Sequence, residues 1–341
     1  MAVTGSVKED FGRMAGGDTV TRVLLQGGGL TARVMTWGAV IQDLRLEGYK
    51  SPLVLGFEHF DDYPLYSPYF GATPGRCANR IAAGKFTLDG TDHQLECNEA
   101  GVTHLHGGSD GIARRNWQIV DLAKDQVVLQ IVDPDGRAGY PGNCTVTATY
   151  QLKDDGVLAV SYETTADQPT PANVCQHSYF NLDGRDDALE HDLMIAADHY
   201  LPVDDLMIPT GEVRPVAGTG FDFREMAPMR HVENGVQTLY DHNFCLSYSR
   251  VPKRSVALAR SINSGIVMEV RTTEPGVQFY AGTKLDVPVP GLQGRKYGRF
   301  AGFCLETQTW PDAINQSQFP NAVLRADEVL RQETDYVFSR S

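Results

Sequence analysis

Alternating apolar and polar positions dominate the chain, and they predict β-strands rather than helices. The alternating runs are rich in Val, Ile, Thr and Tyr, the residues that suit half-buried strands. No stretch keeps the 3.6-residue period of an amphipathic helix, and only residues 59–63 and 312–316 predict a helical turn or two. The strand-like runs cover residues 30–46, 126–132, 143–152, 157–165, 255–259 and 266–272.

Pairs of Asp or Asn followed by Gly separate several of these runs. Such pairs tolerate the positive φ angles that two-residue hairpin turns require. Asp155-Gly156, between the runs 143–152 and 157–165, gives the clearest predicted hairpin. The other pairs lie at 89–90, 110–111, 135–136, 183–184 and 234–235.

The order of the predicted elements indicates the fold class. The sequence has no strand–helix–strand alternation, which argues against a parallel α/β sheet. No composition shift, linker or short repeat divides its 341 residues. We therefore expect an all-β protein, a large antiparallel β-sandwich with few short helices, in a single domain over residues 1–341. Periodicity alone does not distinguish a sandwich from a barrel.

Charge and composition exclude some classes of partner. The net charge of −13 argues against nucleic acid, whose phosphates need a basic face, and against an anionic membrane surface. It fits a protein that acts on a neutral small molecule. Residues 1–10 lack the pattern of a secretory signal, and no run reaches the roughly 18 apolar residues of a membrane helix. The six cysteines stand singly, so we expect reduced thiols and a cytoplasmic location.

Two glycine-containing segments hold candidate polar groups. Residues 71–81 place two arginines and an asparagine in a loop that lacks the Gly-Lys-Ser/Thr of a phosphate-binding loop. His104 and His106 precede two glycines. A His-x-His pair on a strand can bind a metal, but the further ligands of a metal site do not follow. The favoured interpretation places one histidine in the core and His106 in a cleft.

Three further segments carry ionisable groups beside aromatic or amide side chains. His177 lies in residues 173–182, where an imidazole held in one tautomer is ready to move a proton. Asp241 follows Tyr240. Glu306 follows an apolar stretch, and partial burial would raise its pKa and make it a better base near neutral pH. For His177 alone, a satisfied core histidine is the better explanation, and a strand-end glutamate such as Glu306 is usually a solvated edge charge.

Taken together and in order, these segments resemble the galactose mutarotase (aldose 1-epimerase) family. The resemblance runs from about residue 11 to residue 338 and implies a large β-sandwich with an open cleft. One departure stands out: many members have Thr-Asn where this chain has Cys175-Gln176. The segments that carry the resemblance are residues 38–39, 54–57, 75–81, 105–108, 177–182, 241–244, 304–308, 311–315 and 319–320.

The resemblance also implies an activity and a set of site residues. The family interconverts the α and β anomers of free hexoses such as galactose and glucose. Its general base corresponds to Glu306 and its general acid to His177. Its substrate-binding residues correspond to Asn79, Arg80, His106 and Asp241, and with weaker correspondence to Tyr179 and Gln278.

This chemistry needs one proton removed from the anomeric hydroxyl and one delivered to the ring oxygen. A carboxylate and an imidazolium supply both, each worth roughly 10²- to 10⁴-fold in rate. No electron or group is transferred, so we expect no metal and no other cofactor. The rate should fall at low pH as Glu306 takes a proton and at high pH as His177 loses one. Trp310 and the tyrosines could offer the sugar an apolar face. We expect a monomer or weak homodimer whose partner is a free monosaccharide.

The sequence leaves other classes of function open. A non-catalytic sugar-binding module could share the fold, because fold does not fix function. A glycosidase could recruit Asp241 and Glu306 as a carboxylate pair across a glycosidic bond. A phosphosugar epimerase would need a basic cluster, which Arg76 and Arg80 only partly provide.

Overall fold

The computed structural model describes residues 7–340, and β-strands make up nearly all of their regular structure. Residues 1–6, on which the prediction of no signal segment partly depends, lie outside the described residues, as does residue 341. The strands, in chain order, are β1 (Val7–Arg13), β2 (Thr19–Gly27), β3 (Leu30–Met35), β4 (Val40–Leu46), β5 (Arg80–Ile81), β6 (Lys85–Leu88), β7 (Thr91–Gln94), β8 (His104–Leu105), β9 (Gln118–Leu122), β10 (Gln126–Asp133), β11 (Cys144–Lys153), β12 (Val157–Ala166), β13 (Thr170–Pro171), β14 (Asp192–Ile195), β15 (His199–Tyr200), β16 (Arg214–Pro215), β17 (Ala227–Pro228), β18 (Val232–Glu233), β19 (Val236–Gln237), β20 (Asp241–Cys245), β21 (Arg254–Arg260), β22 (Ile266–Thr272), β23 (Gly276–Tyr280), β24 (Cys304–Gln308), β25 (Val323–Leu324) and β26 (Leu330–Arg340).

Three antiparallel sheets form the body of the protein. The largest has nine strands in the order β17-β14-β21-β22-β26-β12-β11-β10-β9. A four-stranded sheet has the order β1-β2-β3-β4, and a five-stranded sheet has the order β16-β15-β20-β23-β24. One hydrophobic core joins all three, with Val34 from β3, Tyr150 from β11 and Phe279 from β23 in the same cluster. The predicted all-β, antiparallel sandwich is confirmed.

Every predicted strand-like run overlaps an observed strand, and together the runs account for β3, β4, β10, β11, β12, β21 and β22. Asp155 and Gly156 close the hairpin between β11 and β12 with φ angles of 61° and 73°, and Lys153 pairs with Val157 across it. The pairs at 89–90 and 234–235 also close two-residue hairpins, β6–β7 and β18–β19. The other three Asp-Gly pairs lie in longer connections.

The predicted run 30–46 was wrong as a single strand. It is β3 and β4, which pair with each other across a connection at residues 36–39. Gly38 and Ala39 there have φ angles of 64° and 47°, which turn the chain back. A side chain at Gly38 would meet the carbonyl oxygen of Ala113, so the close approach of backbone also requires glycine.

Helical structure is sparse and lies close to the predicted places. The α-helix α1 (Asp62–Tyr66) begins three residues after the predicted start at residue 59. The predicted turn at 312–316 is a short 3₁₀ helix over Ala313–Asn315. Further 3₁₀ turns cover Ala82–Gly84, Ile112–Arg114, Arg137–Gly139 and Leu292–Gly294. Within residues 7–340, no helix is both long and apolar enough to cross a membrane.

The five-stranded sheet divides its side chains between the core and a polar face. Because neighbouring residues of a strand point to opposite faces, Phe279 of β23 and Leu305 of β24 enter the core. Gln278 and Glu306, which pair across the same two strands, point the other way. The alternation of side chains along each strand therefore places apolar residues in the core and polar residues on the opposite face of the sheet.

Arg76 is a buried structural residue and not a surface arginine. Its guanidinium is fully buried, and its Nε donates to Oδ2 of Asp133 at 3.0 Å. Its other nitrogens donate to the backbone carbonyls of Asp133 and Pro141 and to the hydroxyl of Thr170. Arg76 thereby ties the loop before β5 to the end of β10. It is not available to a phosphate, contrary to the partial role considered for it.

We predict that Asp133→Ala, which removes the carboxylate partner of the buried Arg76 and also of Arg115, lowers the free energy of unfolding by about 3–5 kcal/mol, the usual cost of breaking a buried ion pair. Urea denaturation measures this change. The matched control is Asp154→Ala, in the exposed turn between β11 and β12, which should stay within about 0.5 kcal/mol of the parent. Equal effects of the two substitutions would contradict the anchoring role of Arg76.

Candidate active site

A cleft lies over the polar face of the five-stranded sheet, closed on the other side by the loops around residues 68–80 and 99–106. Its volume is about 200 Å³, which suits a small ligand rather than a polymer. It combines ionisable, aromatic and apolar side chains. The lining residues are Pro68, Tyr69, Asn79, Arg80, Glu99, Leu105, His106, His177, Tyr179, Asp241, Tyr280, Lys284, Leu285 and Glu306.

Glu306 and His177 face each other at the bottom of this cleft. Nε2 of His177 lies 3.6 Å from Oε2 of Glu306, and both side chains are almost completely buried. Glu306 is held in the middle of β24. The backbone of His177 exchanges hydrogen bonds with residues 71 and 72, and its ring stacks with Tyr69 and with Tyr179 at centroid distances of 5.9 and 5.1 Å. The imidazole therefore has little freedom to turn.

Burial raises the pKa of Glu306 and lowers the pKa of His177 so far that their ordinary order is reversed. Burial, with a smaller contribution from the charge of Asp241, raises the pKa of Glu306 to about 8. Burial lowers the pKa of His177 to about 4. In both cases the charged form loses water that the protein does not replace. The order is the reverse of the one expected from the sequence, where Glu306 was assigned the lower value.

Between these two values the pair holds a single proton. Because the two groups are in contact, the apparent pKa values belong to the pair rather than to either residue. The free cleft favours the proton on Glu306 and a neutral ring on His177. The alternative, a carboxylate opposite an imidazolium, has the same number of protons and differs by one proton transfer.

The two histidines of the His-x-His segment separate as proposed. His104 is fully buried: its Nδ1 lies 2.7 Å from the carbonyl oxygen of Glu96, and its Nε2 lies 2.7 Å from the hydroxyl of Tyr140. His106 has a positive φ of 52° and lines the cleft. Its Nδ1 accepts a hydrogen bond from the backbone N–H of Asn79 at 3.1 Å. A neutral His106 therefore carries its proton on Nε2 and acts there as a donor.

Three ligand-type side chains lie close enough to surround a metal ion, but their chemistry fits one poorly. His106, His177 and Glu306 offer atoms within 4.8 Å of one another. Nδ1 of His106 already accepts from Asn79, so its ring has no free lone pair for a metal without breaking that bond. Burial also lowers the pKa of His106 well below its ordinary value, so the ring stays neutral and keeps this arrangement.

Arg80 is held by a carboxylate that the sequence did not single out. Its Nε and NH2 donate to the two oxygens of Glu99 at 2.7 and 2.8 Å, a two-point ion pair. Although burial favours the neutral acid, the bonds and charge of Arg80 hold the pKa of Glu99 below its ordinary value. NH1 of Arg80 remains 3.9 Å from Oδ2 of Asp241. Asp241 in turn accepts from Nε2 of Gln278 at 2.7 Å.

The structure brings most of the proposed site residues to the cleft wall and places others behind it. Asn79, Arg80, His106, His177, Tyr179, Asp241 and Glu306 all line the cleft. Gln278 is buried beside it and reaches the wall only through Asp241. Trp310 was wrong as a sugar platform: it is 1% exposed, donates to the carbonyl of Pro275 and packs on Phe319.

Four polar or aromatic lining residues were not singled out from the sequence: Tyr69, Glu99, Tyr280 and Lys284. Tyr69 lies just after α1 and Glu99 in an irregular loop, so no periodicity marks either as facing the cleft. Tyr280 had a usable signal, because it is two positions after Gln278 on the same strand face.

A buried carboxyl group opposite a buried imidazole, under a small cleft on a β-sandwich, is an arrangement suited to proton transfer on a small molecule. The sequence pattern of the aldose 1-epimerase family matches residues 21–337. The chain is 43% identical to the galactose mutarotase of Rattus norvegicus and 44% identical to that of Homo sapiens, over 96% of this chain and 97% of each relative. The solved structure of a GalM/aldose epimerase homologue from C. elegans superimposes with a TM-score of 0.88 at 31% identity, covering 94% of this chain and 98% of that one.

The chain therefore belongs to the aldose 1-epimerase family. The shared fold and the nearly complete coverage show that the whole of the sandwich, and not one sheet of it, is common to the family.

We predict that Asp241→Asn lowers the pKa of Glu306, because the charge of Asp241 is the second cause of its rise. A pH titration of the Glu306 carboxyl carbon by NMR, assigned with Glu306→Gln, measures it. Asp154→Asn, which removes an exposed charge far from the cleft, should leave the titration unchanged. An unchanged or higher titration midpoint in the Asp241 variant would show that Asp241 has no electrostatic hold on Glu306.

Proposed function

We propose that this chain is an aldose 1-epimerase, which interconverts the α and β anomers of free hexoses such as galactose and glucose. The observation that carries the proposal is the pair Glu306 and His177, 3.6 Å apart and buried at the bottom of a small cleft. Membership of the aldose 1-epimerase family supports it. A reaction that removes one proton and delivers another needs two such groups side by side.

Glu306 is the general base of ring opening and His177 the general acid. The carboxylate takes the proton of the anomeric hydroxyl, and the imidazolium gives its proton to the ring oxygen. The bond between the anomeric carbon and the ring oxygen breaks, and the open-chain aldehyde forms. Rotation of the carbonyl end presents its other face, and the same two groups act in reverse as the ring closes.

The resting charge state of the pair matches one half of this cycle. After ring opening, Glu306 carries the proton and His177 is neutral, which is the arrangement that burial favours in the free cleft. The pair is therefore complementary to the open-chain sugar. Ring opening starts from the opposite arrangement, which holds the same single proton, so no exchange with solvent is needed between the two halves.

The remaining cleft residues hold the sugar by its hydroxyls. His106 donates through Nε2, and Asp241 offers carboxylate oxygens, while Arg80 offers NH1, the nitrogen that Glu99 leaves free. Asn79 fixes the ring of His106 through its backbone N–H. We assign Tyr179 to the sugar-facing wall.

Gln278 acts from behind the wall, where it fixes Asp241. A phosphosugar is a poorer candidate, because Arg76 is fully used by Asp133 and cannot contribute to a phosphate site.

A free monosaccharide is the only partner that this function requires. A monomeric or weakly dimeric state, a cytoplasmic location, a single domain over residues 1–341, and independence of metals, cofactors, nucleic acid and membranes stay predictions from the sequence.

We predict that His177→Asn and Glu306→Gln each lower kcat for mutarotation by at least about 10²-fold, the low end for loss of a general acid or base. Both substitutions keep the approximate size of the side chain and remove its proton chemistry. Polarimetry with galactose and glucose, corrected for spontaneous mutarotation, measures the rates. The double variant should lose much less than the product of the two single losses, because the residues act as one unit.

Circular dichroism must show that these variants are folded. Near-normal mutarotation by a folded single variant would remove that residue from its role. Near-normal rates in both, with sugar binding retained, would favour a non-catalytic sugar-binding module instead.

We predict a bell-shaped dependence of kcat/KM on pH, with limbs near pH 4 and pH 8, the apparent pKa values of the pair in the free enzyme. Below the lower value the pair holds two protons and contains no base. Above the higher value it holds none and contains no acid. Initial rates at low sugar concentration across this range measure it. A rate that is independent of pH from 3 to 10 would exclude a shared proton on these two groups.

A further inference from the structure

The carboxylate of Glu306 has few hydrogen-bond donors for a buried carboxylate. Oε2 lies 3.6 Å from Sγ of Cys175 and 3.6 Å from Nε2 of His177. Among the hydrogen bonds of residues 7–340, the thiol of Cys175 supplies the only one to this side chain. A buried carboxylate that is kept ionised ordinarily accepts two or three N–H donors. Glu306 therefore relies on one weak donor, and its other oxygen is free to face the cleft.

The position of the thiol is fixed by the backbone on either side of it. The side-chain amide of Gln332, on β26, accepts from the N–H of Val174 at 3.1 Å and donates to its carbonyl at 2.9 Å. The hydroxyl of Tyr162 donates to the carbonyl of Cys175 at 3.4 Å. Asn173 is bonded at both ends of its amide to the backbone of Thr309, just beyond β24. The Asn173 bonds fasten the segment to the end of the strand that carries Glu306, and the other bonds fasten it to β26 and β12.

We propose that Cys175 is a positioning residue for Glu306, whose thiol orients the carboxylate through one weak hydrogen bond and leaves it basic. The inference rests on the proposed function, in which Glu306 is the base. A thiol is a weaker donor than a hydroxyl, so it directs the carboxylate towards the anomeric hydroxyl without stabilising its charge strongly. Cys175 is 1% exposed, so no other role in contact with solvent is open to it.

Other titratable and charged groups also face Glu306 and set the background against which the thiol acts. They come from five parts of the fold: the cleft loops, β5, β20, β26 and the strand β24 itself. These groups are Arg80, His106, His177, Tyr179, Asp241, Cys304 and Tyr336. None of them donates a hydrogen bond to the Glu306 carboxylate in the part of the chain that the structure describes. Changing Cys175 alone therefore tests the donor and leaves these groups in place.

The test is an NMR titration of the Glu306 carboxyl carbon in the full-length protein, assigned with Glu306→Gln. Cys175→Ala removes the donor, so the titration midpoint should rise by about half a pH unit, the effect of a hydrogen bond at the weak end of the ordinary range. The upper limb of kcat/KM against pH should move with it. Cys175→Ser restores a donor, so its midpoint should lie below that of Cys175→Ala.

Cys144→Ala is the matched control, because it removes an equally buried thiol that does not contact Glu306. It should leave both the titration and the upper limb where they are in the parent. An unchanged or lower midpoint in Cys175→Ala, or a midpoint in Cys175→Ser at or above that of Cys175→Ala, would overturn the proposal.

If Cys175→Ala does not fold, Cys175→Ser against the parent decides: its midpoint should be at or below the parent value, and a higher one would count against the proposal. A parent protein without mutarotase activity would overturn the proposed function, whereas the titration would still decide the role of Cys175.

Discussion

The exclusion of water from Glu306 is the constraint on which the site depends. The carboxylate of Glu306 is buried in the middle of β24 and against His177, so it loses the solvent that would stabilise its charge. The same loss applies to an imidazolium on His177. Each charged form is therefore disfavoured, and the two residues share one proton between them. A surface pair of the same residues would keep pKa values near the ordinary ones, so at about pH 7 the glutamate would be ionised and the histidine mostly neutral.

The five-stranded sheet provides this water-excluded site, because side chains along its strands alternate between the core and the cleft. Phe279 and Leu305 anchor β23 and β24 in the core, and the next residues along each strand must then face the cleft. The loops that cover the cleft are held by ion pairs: Arg76 with Asp133 behind the cleft, and Arg80 with Glu99 on its wall. Structural ion pairs thus spare the substrate cleft from uncompensated charge. This matters for a neutral sugar, which cannot itself neutralise a buried arginine or carboxylate.

The fold class and the strands with the clearest alternation could be predicted from the sequence, because period-two alternation and Asp-Gly turns are local signals. The hairpin at Asp155-Gly156 and the strand Ile266–Thr272 needed no knowledge of the rest of the molecule. Residues brought in from irregular loops could not be found this way. Glu99 depends on a contact with Arg80 across 19 positions, and the burial of Trp310 depends on Phe319 and Pro275. The pKa order of the pair likewise follows from three-dimensional burial, which no local pattern reports.

A site of this kind works against the stability of the fold that carries it. Raising the pKa of Glu306 from an ordinary value to about 8 means that the folded state binds this proton more tightly than the unfolded state does. As pH rises through that interval, the folded state therefore loses stability relative to the unfolded chain. The depressed pKa of His177 has the same origin and costs stability as pH falls. Better hydrogen bonding to Glu306 would relieve the cost, but it would also weaken a base at this position, so the sparse bonding around this carboxylate fits the role that we propose for it.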